Sequence, residues 1–559
     1  PHPSHPHPLM LHHVPENPRG RSQKKFKKII DNVLIFTHPR VVSQIITMQP
    51  SKNNLQRNIT MKTTLFATTL LACAAAIPVA NAQTIYWRGD GSGAPAGWTD
   101  ANVWGPSFDD AAGDTTFTSG DTVRFGGPID GGFGSQTVNV TGTITPGQIF
   151  FDDTTPDNRP DFTISGGVIN LVNSTVGTAI TANLTTAGQV DISSELAISG
   201  TNTIMEVIGG SGARSLKLTG FVSGTGDLTI NGSTGSFPRV TFQNVSDNTF
   251  DGNLLINSGN HQVQGKRLVA ANKTIVIGDG VGASGSAELD FLNSDGIGDN
   301  GNRNVTINSD GKMVTGDVFM RMGTLTMNGG EIQASGNNSG LSIIQTPLTV
   351  TADSSIKSTG TNNRILLENP SLEVAVSTGA TLINEFEVRS SSSLRTVQLT
   401  GNGTYRASLS NRTLARIEVQ AGTFQQGVAN IFNNANPFGI DDPVLKLAGG
   451  TFDLNSFNST LDTALELTLD STINFGGSAT MTFGATTTSE WIDGTTLTLT
   501  GFVVGTNGLR FGTDATGLSA ALLNDISLAG YNATGLDANG FVQFAAIPEP
   551  STALLLVGG

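Results

Sequence analysis

One ten-residue pattern recurs along this chain: two alternating apolar residues, a small residue with glycine, then two more alternating apolar residues. It reads Phe162-Thr163-Ile164-Ser165-Gly166-Gly167-Val168-Ile169-Asn170-Leu171. It returns as Leu445-Lys446-Leu447-Ala448-Gly449-Gly450-Thr451-Phe452-Asp453-Leu454, with variants at Leu325–Ala334, Ile417–Gln426 and Leu254–Val263. A period of two puts the apolar side chains on one face of a strand. Glycine permits a sharp bend with φ > 0, so the apolar residues after it face the same interior from a second strand. Repetition of strand, corner and strand winds a chain into a solenoid in which each coil pairs with the next. Irregular spacing is compatible with this, because loops leave a coil at its corners. The expected fold is all-β, a right-handed parallel β-helix over residues 83–545. Coils of ~22–25 residues spaced ~4.8 Å apart predict a length of roughly 90 Å. A string of β-sandwich domains is the alternative that short strands and frequent turns leave open.

Short alternations at Asp121–Phe125, Gln136–Val140, Gln148–Phe151, Lys273–Ile277, Val305–Asn308 and Leu372–Val376 read as further strands. Glycine supplies 68 of 559 residues, above the average of ~7%, and favours turns over long helices. Helical periodicity appears once, in Gly517–Leu528, where Leu518, Leu522 and Ile526 share a face.

Few residues are available for chemistry. The one cysteine, Cys73, lies in an apolar leader, so the chain beyond it can form no disulfide and no thiolate metal site. Six of the seven histidines fall in residues 1–60 (His2, His5, His7, His12, His13, His38), which leaves only His261 beyond the leader. That rules out a multi-histidine zinc site, and a histidine-dependent triad unless His261 serves it. His261 occupies the position held by Ile169, Ile332, Phe424 or Phe452 in other copies of the unit, and is expected to stack inside the solenoid. The whole chain carries a formal charge of −14; residues 1–82 hold ten Lys/Arg and two Asp/Glu, so the remainder is near −22. This excess argues against nucleic acid and anionic lipid as partners.

The ends carry address signals. Met61-Lys62, an uncharged stretch rich in Leu and Ala from Thr63 to Val79, and Ala80-Asn81-Ala82 before Gln83 form the parts of a secretory signal peptide over 61–82, with cleavage between Ala82 and Gln83. Residues 1–60, with their histidines and the run Lys24-Lys25-Phe26-Lys27-Lys28, match nothing downstream. They are read as a disordered upstream extension foreign to the native protein, rather than as a metal- or nucleic-acid-binding arm. At the other end, Pro548-Glu549-Pro550 followed by Ala553–Val557 resembles the PEP-CTERM sorting signal of bacterial exported proteins. In that family the tripeptide precedes a membrane span and a basic cluster, and an exosortase is thought to process it. Here the apolar run is too short to span a bilayer and no Arg cluster follows, so the signal over 546–559 is expected to be truncated.

The repeat units resemble autotransporter-associated β-strand repeats, most closely in Leu216–Gly232 continuing to Asn248-Thr249-Phe250-Asp251-Gly252. Trp87-Arg88-Gly89, Trp98 and Asn102-Val103-Trp104 look like the opening of such proteins, and Leu497–Phe511 with Gly517–Ile526 like their closing module. The resemblance covers most of residues 84–552. It implies a bacterial β-helix exported to the cell envelope, cell surface or extracellular matrix, with signal peptidase and an exosortase-type enzyme as partners and membrane contact only through a C-terminal anchor.

Candidate sites are weak. Arg88-Gly89-Asp90 spells an adhesion tripeptide but reads as a turn. Asp295-Gly296-Ile297-Gly298-Asp299-Asn300-Gly301-Asn302 offers oxygen ligands for a hard cation, yet lacks the Glu of an EF-hand loop and does not repeat; a solvated loop is expected. The pairs Asp109-Asp110, Asp152-Asp153 and Asp441-Asp442 supply carboxylates, but neighbours on a strand point to opposite faces. Trp87, Trp98 and Trp104 are read as a hydrophobic cap on the first coil rather than a sugar platform. No catalytic, cofactor or metal site is assigned. The expected function is structural or adhesive, in contact with extracellular polysaccharide; the alternative is a polysaccharide lyase or glycoside hydrolase, since some β-helix proteins are lyases.

Overall fold

The chain divides into two units, residues 1–79 and 80–559. The computed structural model describes part of the second: residues 82–548 apart from 89–94, 108–114, 127–134, 153–160, 173–176, 185–188, 201–202, 210–213, 234–237, 245, 298–302, 338, 344–346, 391–394, 410–412 and 433–441. Residues 1–60, the expected signal peptide up to Asn81, and Glu549 onward lie outside the described residues.

Parallel strands stack into a β-solenoid of about 14 turns. Two long sheets run through it, here A and B, with 17 and 22 strands; sheets of five and three strands, C and D, form a third face later in the chain. Antiparallel ladders among the described strands occur only at the ends, where Trp87 faces Trp104 and where Ile526–Leu528, Tyr531–Leu536 and Val542–Ala546 form a meander. The parallel registers between them exclude a string of sandwiches, which are built from antiparallel sheets.

The sequence alternation explains why each strand sits where it does. In sheet A, Val123, Ile149, Ile180, Met205, Ile230, Ile256, Ile277, Ile307, Met327 and Val350 follow one another in register, and all are buried. Each contributes about 1.5–3 kcal/mol by burial, and a one-residue slip would turn the whole row outward. The step from coil to coil varies, as from Ile149 to Ile180 and from Ile307 to Met327. Extra residues sit in the connections, where a solenoid accommodates them without losing register.

Four of the five recurring units cross from sheet A to sheet B at their glycines. One example runs from Val444–Ala448 through Gly449, at φ 116°, to Thr451–Asp453. The fifth does not. Phe162–Leu171 is one strand, bent at Gly166 and Gly167, and both its halves lie in sheet B.

Backbone stacking explains the glycines of the Leu216–Gly252 stretch. A Cβ on Gly226 would sit 1.7 Å from the carbonyl oxygen of Gly200, and one on Gly252 would sit 1.8 Å from that of Gly226. Only glycine permits this approach. The segments after them, Leu228–Ile230 and Leu254–Ile256, then pair in register.

Both ends are closed, as solenoid ends must be. Trp87, Trp98 and Trp104 are buried and pack with Phe125, with ring centroids 5.1–5.8 Å apart. At the other end the expected helix is shorter than the periodicity suggested. Ser519 caps a helix of Ala520–Asn524, whereas Ile526 belongs to a strand and pairs with Leu497. Leu518, Leu522 and Ile526 are all buried, because the ladder supplies the inward position of Ile526 that a helix would also have given.

Candidate functional site

Every buried position on a strand leaves its neighbour pointing out, so sheet B presents rows of outward side chains about 4.8 Å apart. Two stretches of this face differ in chemistry.

The first stretch, on strands Arg239–Phe242, Gly259–Val263, Ala287–Phe291 and Gly311–Thr315, is charged. Glu288 and Asp290 stand two apart on one strand and so share the outer face. Lys312 pairs with Glu288 at 3.1 Å, and Asn260 donates to the same carboxylate. Gln264 donates to Gln262 at 2.6 Å, and Gln262 to Asp290 at 3.1 Å. Burial raises the Asp290 carboxyl above its ordinary value, with Glu288 adding to the effect against the pull of Gln262, Arg239 and Lys312. Its Oδ1 is buried with no hydrogen-bond partner. Adjacency made the sequence's Asp-Asp pairs conspicuous, but the pair that shares a face is spaced by two. Asp109, Asp110, Asp153 and Asp441 lie outside the described residues, and Asp152 pairs with Arg124 at 2.9 Å.

The second stretch is uncharged along its leading row. Thr381, Thr404, Thr423, Thr451, Thr472 and Thr498 follow one another in register across successive coils, continued by Ser527. The row two residues on holds Arg406, Gln425, Asp453, Asn474 and Thr500. Its members bind one another: Gln425 donates to Asp453 at 2.8 Å, Asn474 to Asp453 at 3.0 Å, and Thr500 to Asn474 at 3.3 Å. Between the two rows the side chains turn inward, and Tyr405, Phe424 and Phe452 stack with centroids 5.8 and 5.6 Å apart.

His261 is fully buried. It stacks on Leu289, in one column with Met313 and Ile332, as its place in the repeat predicts. Its Nδ1 accepts from the Val240 N–H at 3.0 Å, so Nε2 carries the proton and donates to the Ser258 carbonyl at 2.8 Å. Burial lowers its pKa to about 4. Both nitrogens are engaged and closed off from solvent, so the ring is placed as a core residue. A notch of about 180 Å³ lies where sheets B and C meet, lined by Ser358, Thr361, Asn362, Asn363, Glu385 and Glu387 among others. The Asn363 side chain is used internally, accepting from Ser339 N–H and donating to the Ser358 hydroxyl.

Of the remaining sequence candidates, Arg88 is described but Gly89 and Asp90 are not. In the acidic loop, Ser294–Gly296 forms a short 3-10 turn and Ile297 is buried, while 298–302 lie outside the described residues. Among the described residues no three His, Cys, Asp or Glu side chains are grouped to hold a metal. Ala80, Glu549 and Pro550 are not described; Ala82, Gln83 and Pro548 are exposed. Gln83 is already tied to the first coil, its N–H donating to Asp121 Oδ1 at 3.0 Å. No described helix is long and apolar enough to cross a membrane. No family model, curated protein or solved structure matches the chain.

Proposed function

We infer that this protein is an exported bacterial scaffold, displayed at the cell surface or in the extracellular matrix, whose polar sheet faces adhere to extracellular polysaccharide. The reading takes Met61–Ala82 as a signal peptide and Pro548-Glu549-Pro550 as a PEP-CTERM-type signal handled by an exosortase-type enzyme. The observation that carries it is the bonding pattern on the outside of the solenoid. Outward side chains tie coil to coil, as in Lys312–Glu288, Lys446–Glu418 and Gln425–Asp453, which suits a stiff scaffold with extended faces. The contact between Gln83 and Asp121 supports processing after Ala82, since cleavage there would leave an α-ammonium against a carboxylate.

The test incubates the purified chain with insoluble and soluble polysaccharides. Retention on polymer with no new reducing or unsaturated ends is the expected result. Glu288 and Asp290 favour a second reading, a polysaccharide-cleaving enzyme, because two carboxylates on one face are what glycoside hydrolysis uses. Polymer cleavage that disappears in Glu288→Gln and Asp290→Asn would establish that reading instead.

A further inference from the structure

We propose that the threonine row of sheet B, from Thr381 to Thr498, is the binding face for a neutral, extended polysaccharide whose chain runs along the solenoid axis. This rests on the adhesive reading above and assigns it a site and a ligand class.

Hydrogen-bond supply distinguishes this row from the one beside it. Within the described residues no hydrogen bond engages the hydroxyls of Thr404, Thr423, Thr451 and Thr472, although all four side chains are half-buried. The adjacent row is saturated by its own contacts, from Gln425 through Asp453 and Asn474 to Thr500. The surface therefore offers a line of unclaimed donor-acceptor groups beside a self-bonded border. A hydroxyl can give and accept at once, which matches the hydroxyls of a sugar polymer.

Spacing and rigidity support a polymer over a small ligand. Parallel pairing fixes the hydroxyl repeat at about 4.8 Å over a run of about 24 Å. The β-branched threonines are stiff at χ1, and the aromatic stack of Tyr405, Phe424 and Phe452 backs them. Ordering costs on the protein side are thus largely met before binding.

The corners leading into this row are short and rich in glycine, at Gly401, Gly403, Gly422, Gly449 and Gly450, where neighbouring coils pack backbone to backbone. Charge selects the class of polymer. The row is uncharged, and the chain as a whole is at −14, so a polyuronate would be repelled.

The experiment uses the full chain, microcrystalline cellulose as the neutral probe and polygalacturonate as the acidic one. The variant combines Thr423→Val, Thr451→Val and Thr472→Val, which keeps shape and strand preference while deleting three hydroxyls. The expected result is retention of the wild type on cellulose, at least tenfold weaker retention of the variant, and an unchanged β spectrum and melting temperature. Equal retention of variant and wild type would overturn the site while leaving the adhesive function standing. Preference for polygalacturonate would overturn the ligand class. A wild type held by neither probe would overturn the site, and one held by no polysaccharide would overturn the function as well. Self-association abolished by the variant, without polymer retention, would assign the face to a second copy and also overturn the proposal.

Discussion

The coils before Ile256 and those after it build the same solenoid with opposite corners. In the earlier coils the longer connections leave where the chain passes from sheet A to sheet B, at 126–135, 153–161, 184–189, 209–214 and 233–238. The glycines that stack by close approach, Gly200, Gly226 and Gly252, lie where the chain enters sheet A. In the later coils the arrangement reverses. The exit corner shrinks to Asn257-Ser258, Gly329-Gly330 and Gly449-Gly450, with one longer exception before Ala287, and the long stretch 433–443 falls at the entry to sheet A. A solenoid tolerates insertions at any corner, but the corner that holds them decides which face is open. The swap shortens the sheet A to sheet B connections in the coils of the threonine row.

The most damaging test of this comparison is a side chain placed in the stacked column. Gly226→Val puts a Cβ 1.7 Å from the Gly200 carbonyl oxygen, which the backbone can relieve only by breaking the coil. A loss of at least about 4 kcal/mol is expected, by the strain and overpacking that produce the largest single-residue effects. Gly379→Ala is the control at an exit corner of the later coils. There φ is 80° but a Cβ would meet nothing within 4 Å, so only the backbone preference is lost, about 1 kcal/mol. Denaturant unfolding of both variants compares them; similar losses would mean that close approach is not what distinguishes these corners.

How far the sequence announced this fold depends on which residues are asked. The alternation at Gln148–Phe151, Val305–Asn308 and Leu372–Val376 placed strands to within a residue or so, because inward burial and period two are one constraint. The glycine-bearing units marked the A-to-B corner in four cases. They misled at Phe162–Leu171, where Gly166 and Gly167 bend a strand without moving it to another sheet. The threonine row was not legible. Its members lie on separate coils at uneven intervals, and no local pattern tells which threonines will be stacked. The Glu288 and Asp290 pair was hidden for a related reason, since i,i+2 spacing matters only once a strand is known.

His261 sits where the two regions meet, on the first coil with a tight exit corner. Its ring lies against Gly232 and Gly259, 3.0 Å and 3.1 Å from the positions of their would-be Cβ atoms. The neutral ring holds the Val240 N–H and the Ser258 carbonyl together. Its pKa is lowered from 6.5 to about 4, so protonation favours the unfolded chain. The stabilisation is fully present above pH 6.5 and is lost as pH falls through the folded value near 4. The expected loss across that window is about 3 kcal/mol. The raised carboxyl of Asp290 acts in the opposite direction, so the contribution of His261 is read from the difference between wild type and His261→Gln. Parallel stability-pH curves for the two proteins would remove the ring from its role at the junction.

Asp121 gives a smaller effect, confined to the first coils. The residue is 2% exposed, and its carboxylate accepts from the N–H groups of Gln83 at 3.0 Å and Thr118 at 2.8 Å. Asp121→Asn turns one acceptor into a donor facing an N–H, at a cost of about 1–3 kcal/mol. If the chain is processed after Ala82, the loss in the processed form will exceed that in the uncut chain, because an ammonium then replaces the amide. Melting curves of the two forms, each with and without the substitution, measure this; equal losses would argue against a mature terminus at Gln83.

The finest distinction separates the two chemistries of sheet B. Lys312 and Glu288 have side chains 23% and 20% exposed, partly screened by water, so Lys312→Ala is expected to cost only about 0.5 kcal/mol at low ionic strength. At 1 M salt, where the screening length is about 3 Å, most of that difference should vanish. Thr451→Val, in the uncharged row, should leave the melting temperature unchanged at every salt concentration, because a hydroxyl has no charge to screen. A salt-dependent Thr451→Val would mean that the row senses the charges of its border, and the division of the face into two chemistries would then fail even if both stretches fold alike.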